Sequence, residues 1–234
     1  MKRVVVVLAL LVVAFVSRPV RVSTAVDPAV VGQWTGVLSW PSIGVHSHLL
    51  STGKVLTWEQ GSQATLWDPA SGLFNAMPNP WVDLLCSGHA VLADGRLITL
   101  GGWDRSGNGL GLSEVDVFEP TVRSWNRARP MTFKRWYPTA TRLPDGRLLA
   151  LSGARNSLTD LVTTPEIYDP VADSWTSLTG AVRSLPLYPF MFVLPDGRVI
   201  SVGNSEVASR TVTLDIATST WTVIDNRLID GASA

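Results

Sequence analysis

The sequence predicts an all-β fold built from one four-stranded unit repeated along the chain. Three observations carry this. A turn reading Asp-Gly-Arg recurs at Asp94-Gly95-Arg96, Asp145-Gly146-Arg147 and Asp196-Gly197-Arg198, at a spacing of 51 residues. Short apolar runs rich in Val, Ile and Leu flank each turn, as the strands of a hairpin do. An acidic residue recurs at Asp68, Glu119, Asp169 and Asp215, and a large aromatic stands six residues after each, at Phe74, Trp125, Trp175 and Trp221.

Taken in order, each unit opens with an inner strand that ends just before a turn glycine, Gly53, Gly95, Gly146 or Gly197. These strands are read at His48-Leu49-Leu50, Ala90-Val91-Leu92, Thr141-Arg142-Leu143 and Phe192-Val193-Leu194. A second strand follows each glycine, at Val55–Thr57, Leu97–Leu100, Leu148–Leu151 and Val199–Val202, closed in three units by Gly101-Gly102, Gly153 or Gly203. The third strand ends in the acidic residue, and the fourth carries the late aromatic, an apolar plug between neighbouring units. Four short strands in a repeat of this length, with glycines, a turn acid and a late Trp, describe the kelch type of β-propeller blade.

Blades are expected around residues 34–78, 83–130, 135–180 and 185–225, together a partial propeller over 26–234. Kelch rings usually close with six or seven blades, so four blades read as part of a seven-bladed ring, the alternative being a four-bladed ring. The last residues, Asp230 to Ala234, look like the opening of another inner strand.

The first 25 residues read as a secretory leader. Lys2 and Arg3 precede an apolar run from Val4 to Val16, and small residues Ser23-Thr24-Ala25 mark the cut. The mature chain is therefore expected outside the cell and free of the membrane, a membrane anchor being the alternative. Formal net charge is zero and arginines are scattered, which gives no basic surface for nucleic acid. With 46% apolar residues the chain has ample material for a core.

One repeated position carries chemistry. Cys86, Tyr137 and Tyr188 each stand nine residues before a turn glycine. Inner strands of a propeller run along the central channel, so residues at one register converge near the axis. A thiol beside a phenol can be oxidised in the presence of copper to a thioether, which turns the phenol into a stabilised one-electron redox centre. Cys86 is the only cysteine, and an unpaired thiol is a liability in an exported chain. The bland reading makes Cys86 a small buried hydrophobe and Tyr137 a channel-lining phenol. His46 and His48 share a strand face but have no acidic or thiol partner near them in sequence. His89 stands three residues after Cys86, on the strand beyond the site. All three are read as structural. The loop Asp104 to Gly111 lacks the strand and helix context of a phosphate site.

The register of Cys86 and Tyr137, with Arg135-Trp136-Tyr137-Pro138-Thr139 and Leu143-Pro144-Asp145-Gly146-Arg147, resembles the copper radical oxidases of the galactose oxidase and glyoxal oxidase family. Leu187-Tyr188-Pro189-Phe190 before Leu194-Pro195-Asp196-Gly197 is similar to the glyoxal oxidase branch. The resemblance implies a Cys86–Tyr137 thioether radical cofactor, with the Tyr137 oxygen as a copper ligand and Tyr188 lining the substrate pocket. It implies oxidation of simple aldehydes, primary alcohols or a carbohydrate by O2, with release of H2O2. The family's axial Tyr-His pair and its further ligand His cannot be mapped before Ala234, so the chain alone is expected to be inactive. Where the family stacks a Trp over the thioether, this chain has Gly153-Ala154-Arg155-Asn156, leaving Trp136 or Trp103 as possible covers. The alternative function is a catalytically silent propeller that binds a glycan or a protein at the channel mouth.

Overall fold

The computed structural model describes residues 27–34, 36–204 and 207–229; the expected leader and Asp230 to Ala234 lie outside them. The chain divides into two units, residues 1–39 and 40–234. In the first, the described residues hold one helical turn, Pro28–Val31, begun by Asp27, whose carboxylate accepts the Ala29 N–H at 2.9 Å.

The second unit is all β. Strands β1 (His46–Leu49), β2 (Val55–Trp58), β3 (Ala64–Trp67) and β4 (Phe74–Ala76) form one antiparallel meander. The pattern repeats in β5 (Gly88–Val91) to β8 (Ser124–Ala128), through β6 (Leu97–Leu100) and β7 (Val115–Glu119). It repeats again in β9 (Thr139–Arg142), β10 (Leu148–Leu151), β11 (Glu166–Asp169) and β12 (Ser174–Ser177). A last sheet holds β13 (Met191–Val193), β14 (Val199–Ser201), β15 (Ser209–Asp215) and the long β16 (Thr220–Ile229). The sheets are the four-stranded blades that the repeat requires.

Local chemistry fixes each hairpin. Gly95, Gly146 and Gly197 sit at φ 86–90° in the left-handed region. The preceding aspartate accepts the N–H of the arginine two residues on and pairs with its guanidinium, as in Asp145–Arg147, where Nε donates at 2.8 Å. Inner strands begin earlier than the apolar pattern indicates, two residues earlier in β1, β5 and β9 and one in β13. Polar His46, Gly88 and Thr139 carry no apolar signal, yet they continue the ladder.

The second strands are buried on both faces, and their side chains alternate between neighbouring cores. In β10, Leu148 and Ala150 pack toward the β5–β8 sheet, while Leu149 and Leu151 pack toward the β13–β16 sheet. The late tryptophans tie blades together by the indole N–H as well as by area. Trp125, Trp175 and Trp221 each donate at 2.8 Å to a carbonyl just past the last strand of the preceding blade, that of Met77, Arg129 and Ala181.

Candidate active site

Cys86, Tyr137 and Tyr188 lie immediately before β5, β9 and β13. Each takes the left-handed backbone conformation, with φ of 58°, 63° and 44°. For a residue with a side chain this costs about 1–2 kcal/mol, so surrounding structure must hold it in place. Backbone bonds do so between blades. The Tyr188 N–H donates to the Tyr137 carbonyl at 3.0 Å, and the Tyr137 N–H donates to the Cys86 carbonyl at 2.9 Å. Gly88 allows this approach, since a Cβ there would lie 2.8 Å from the Pro138 oxygen.

The three side chains meet. The Cys86 thiol lies beside the side chains of both Tyr137 and Tyr188. The two phenol rings stand edge to face, with centroids 5.1 Å apart at 90°. Tyr188 Oη donates to the Ser87 carbonyl at 3.2 Å. Burial pushes the Cys86 thiol up, and this outweighs the neighbouring phenols, which act in the opposite direction. Burial also pushes the Tyr188 phenol up, helped by the neighbouring Cys86 and Tyr137. At neutral pH the Cys86 S–H and the Tyr188 O–H therefore keep their protons, a set suited to hydrogen-atom and electron loss more than to nucleophilic attack.

Trp136 covers Tyr137. Its ring centroid lies 4.4 Å from that of Tyr137, and its Nε1–H donates to the Leu85 carbonyl at 3.1 Å. Trp103 stacks on Trp136 at 6.0 Å and 18°, with the Arg105 guanidinium 4.8 Å beyond it. The Gly153-Ala154 loop pairs with Trp136 through two backbone bonds of 2.7 and 2.8 Å. Trp136, one residue before Tyr137, and Trp103 thus form the aromatic cover.

Arg135, two residues before Tyr137, is wholly buried with Glu166. It donates to Glu166 through Nε at 3.3 Å and Nη2 at 2.9 Å, and also to the Ser152 and Thr164 carbonyls. Glu166 in turn accepts the Thr132 N–H at 2.8 Å. The pair anchors the whole segment that presents Trp136 and Tyr137. The pairing with Glu166 has no local sequence signal beyond an arginine where the other blades have Leu84 and Pro186.

The histidines, read as structural, come together beside Cys86. His46 Nε2 accepts the Cys86 N–H at 3.2 Å, and His46 Nδ1 faces His89 Nε2 at 3.3 Å. The His46 ring stacks on Trp58 at 5.2 Å, and the His48 ring meets His89 at 5.2 Å. Burial pulls His46 down to about 4 and His89 to about 3, so both are neutral at pH 7. His48 is also lowered by burial. Some forty residues separate His46 from Cys86 and His89, and no local motif announces the contact.

The phenol and thiol donors fit a copper site in part. Tyr137 offers an oxygen ligand beside a thiol able to cross-link, but among the described residues no group of three His, Cys, Asp or Glu can hold a metal ion. Tyr188 also lines an open, largely apolar pocket of about 390 Å³ with Thr139, Pro189, Phe190, Met191 and Phe192. A larger groove, about 620 Å³, lies at the opposite end of the strands among the Asp145 and Asp196 turns, away from this chemistry.

Residues 57–226 match the family model described as Glyoxal oxidase N-terminus. A galactose oxidase of Gibberella zeae is 25% identical over 173 residues, which cover 68% of this chain and 24% of that protein. A WSC domain-containing protein of Arthroderma benhamiae is 29% identical over 140 residues, covering 53% of this chain and 14% of that protein. Among solved structures, a novel fungal alcohol oxidase with catalytic diversity among the AA5 family, in complex with copper, superposes with a TM-score of 0.65 at 20% identity. That match covers 82% of this chain and 44% of the other, and at this identity it is a likeness of fold. The chain spans 24% or less of the length of these two curated relatives.

Proposed function

The chain belongs to the Glyoxal oxidase N-terminus family, and from that premise we propose that it carries the thioether–tyrosine part of an exported copper radical oxidase. The substrate class is simple aldehydes, reacting as hydrates, or primary alcohols, including those of carbohydrates. An alcohol RCH2OH and O2 give RCHO and H2O2; a hydrate RCH(OH)2 and O2 give RCOOH and H2O2. The observation that carries this reading is the juxtaposition of Cys86 and Tyr137, joined through the backbone and both held in strained left-handed conformation at the same register of adjacent blades.

Tyr137 is the described residue that would hold copper, through its phenol oxygen, and a bound copper supplies the second one-electron redox partner beside the tyrosine. Cys86, joined to the ring carbon next to the hydroxyl, donates electron density from sulfur and lowers the cost of oxidising Tyr137. The Tyr137 oxygen then receives a hydrogen atom from the substrate carbon. Trp136 and Trp103 keep water off the ring, which extends the life of the oxidised state. Tyr188, protonated and held through its bond to the Ser87 carbonyl, places a neutral phenol at the edge of the apolar pocket where substrate would enter. Export is supported by the charged start, apolar run and small residues ending at Ala25.

Peptide mass spectrometry tests this after the natural gene product is exposed to copper and air. A joined Cys86–Tyr137 peptide, two hydrogens lighter than its parts, supports the oxidase. Separate peptides after full copper loading refute it and leave a binding propeller.

A further inference from the structure

We propose that His46 is a positioning residue for the Cys86–Tyr137 cross-link, a side-chain acceptor that sets the Cys86 backbone so that its thiol meets the Tyr137 ring. This rests on the reading of that pair as a cross-linked cofactor.

The repeat breaks at Cys86. At Tyr137 and Tyr188 the backbone N–H donates to the carbonyl of the equivalent residue one blade earlier. The equivalent of Cys86 in the first blade is Gly44, nine residues before Gly53. The Cys86 N–H bypasses it and donates to His46 Nε2 at 3.2 Å. An imidazole has replaced a peptide carbonyl at the first link of the series.

Its proton arrangement follows from the bonds. A ring nitrogen that accepts carries no hydrogen, so neutral His46 bears its proton on Nδ1. That proton points at His89 Nε2, 3.3 Å away, which must accept it. His89 thus fixes the tautomer of His46. Trp58 fixes the plane, stacked on His46 at 21° and edge-on to His89 at 76°. Trp58 is itself tied to the same segment, since its Nε1–H donates to the Leu84 carbonyl at 3.1 Å. Both nitrogens of His46 are committed, one to the Cys86 backbone and one to His89.

The purpose of such an arrangement is geometric. Cys86 is a buried residue with a side chain at φ 58°, and its N–H lies away from water. Leaving that N–H unpaired removes the restraint on a conformation the residue does not favour. In the cross-linking step the Cys86 S–H and one Tyr137 ring C–H break and an S–C bond forms. Two electrons and two protons leave to O2, giving H2O2. Reacting atoms must be held in near-attack geometry, where a displacement of about 1 Å costs on the order of a hundredfold in rate.

The test is the rate of thioether formation in the natural gene product, loaded with copper in air and followed by peptide mass spectrometry. His46→Gln places an amide oxygen near the Nε2 position and is expected to cross-link within a few-fold of wild type. His46→Leu keeps the apolar contact with Trp58 but accepts nothing, and should slow cross-linking by about tenfold or more. Thermal melts of the uncross-linked proteins separate positioning from folding. Should the Leu variant not fold, His46→Asn, whose short amide reaches only the Nδ1 position, takes its place with the same expected loss. A Leu or Asn variant that cross-links at the wild-type rate overturns the role of His46 alone. A wild type that never cross-links overturns both this inference and the oxidase reading.

Discussion

The Tyr137 backbone N–H donates to the Cys86 carbonyl at 2.9 Å, while the Cys86 thiol lies beside the Tyr137 side chain. Two residues 51 positions apart thereby meet twice, through a main-chain bond and through neighbouring functional groups. The repeat supplies the first contact in every blade pair that uses it. Only the choice of Cys at one site and Tyr at the next makes the second one chemical.

The buried Arg135–Glu166 pair predicts a large stability effect. Arg135→Met leaves Glu166 buried without its cation and is expected to cost about 3–5 kcal/mol in chemical denaturation. Arg135→Met with Glu166→Leu should recover much of that, because the charge and its partner leave together.

The turns between third and fourth strands predict small gains. Gly72, Arg123, Asp173 and Ser219 occupy equivalent positions, all at positive φ, and only the first is glycine. Asp173 is used by Tyr168 and Arg129, but Arg123 and Ser219 are candidates for replacement. Arg123→Gly and Ser219→Gly are each expected to stabilise by about 0.5–1 kcal/mol, read from the denaturation midpoint.

The aromatic cover predicts a kinetic effect. Trp136→Ala should leave the thioether able to form while exposing Tyr137 to solvent. The decay of the oxidised tyrosine, followed by its electron paramagnetic resonance signal, is expected to accelerate severalfold. Trp136→Phe should lie between this and wild type.

The histidine pair predicts a pH dependence of stability. Folded His46 and His89 stay neutral down to about 4 and 3, whereas in the unfolded chain they take up protons below about 6.5. The unfolded state binds more protons in that window, so stability falls as pH is lowered from about 6.5 toward 4. The expected loss is on the order of a few kcal/mol, seen as a falling melting temperature. A His46→Gln, His89→Gln double variant should show a flatter profile over the same range.

Much of the fold was legible because its determinants are local. A turn glycine, an aspartate two residues before an arginine, and a late tryptophan act within a few residues, and the 51-residue spacing multiplies them. The meeting of Cys86, Tyr137 and Tyr188 was legible for the same reason, as a shared register. What the residues did not announce depends on contacts between blades. The left-handed backbone at these positions has no glycine to mark it. His46 reaches Cys86 across 40 residues, and Arg135 finds Glu166 across 31. Trp136 was a candidate cover beside Trp103; its ring is held by the indole bond to the Leu85 carbonyl, 51 residues away, and its backbone by bonds to Ala154.

The most direct test of the account is the mass of the peptides containing Cys86 and Tyr137 after the natural gene product has taken up copper in air. One joined species is expected, two hydrogens lighter than the sum, abolished by Cys86→Ser and by Tyr137→Phe in proteins that still fold. Two unmodified peptides from fully loaded wild-type protein would contradict it.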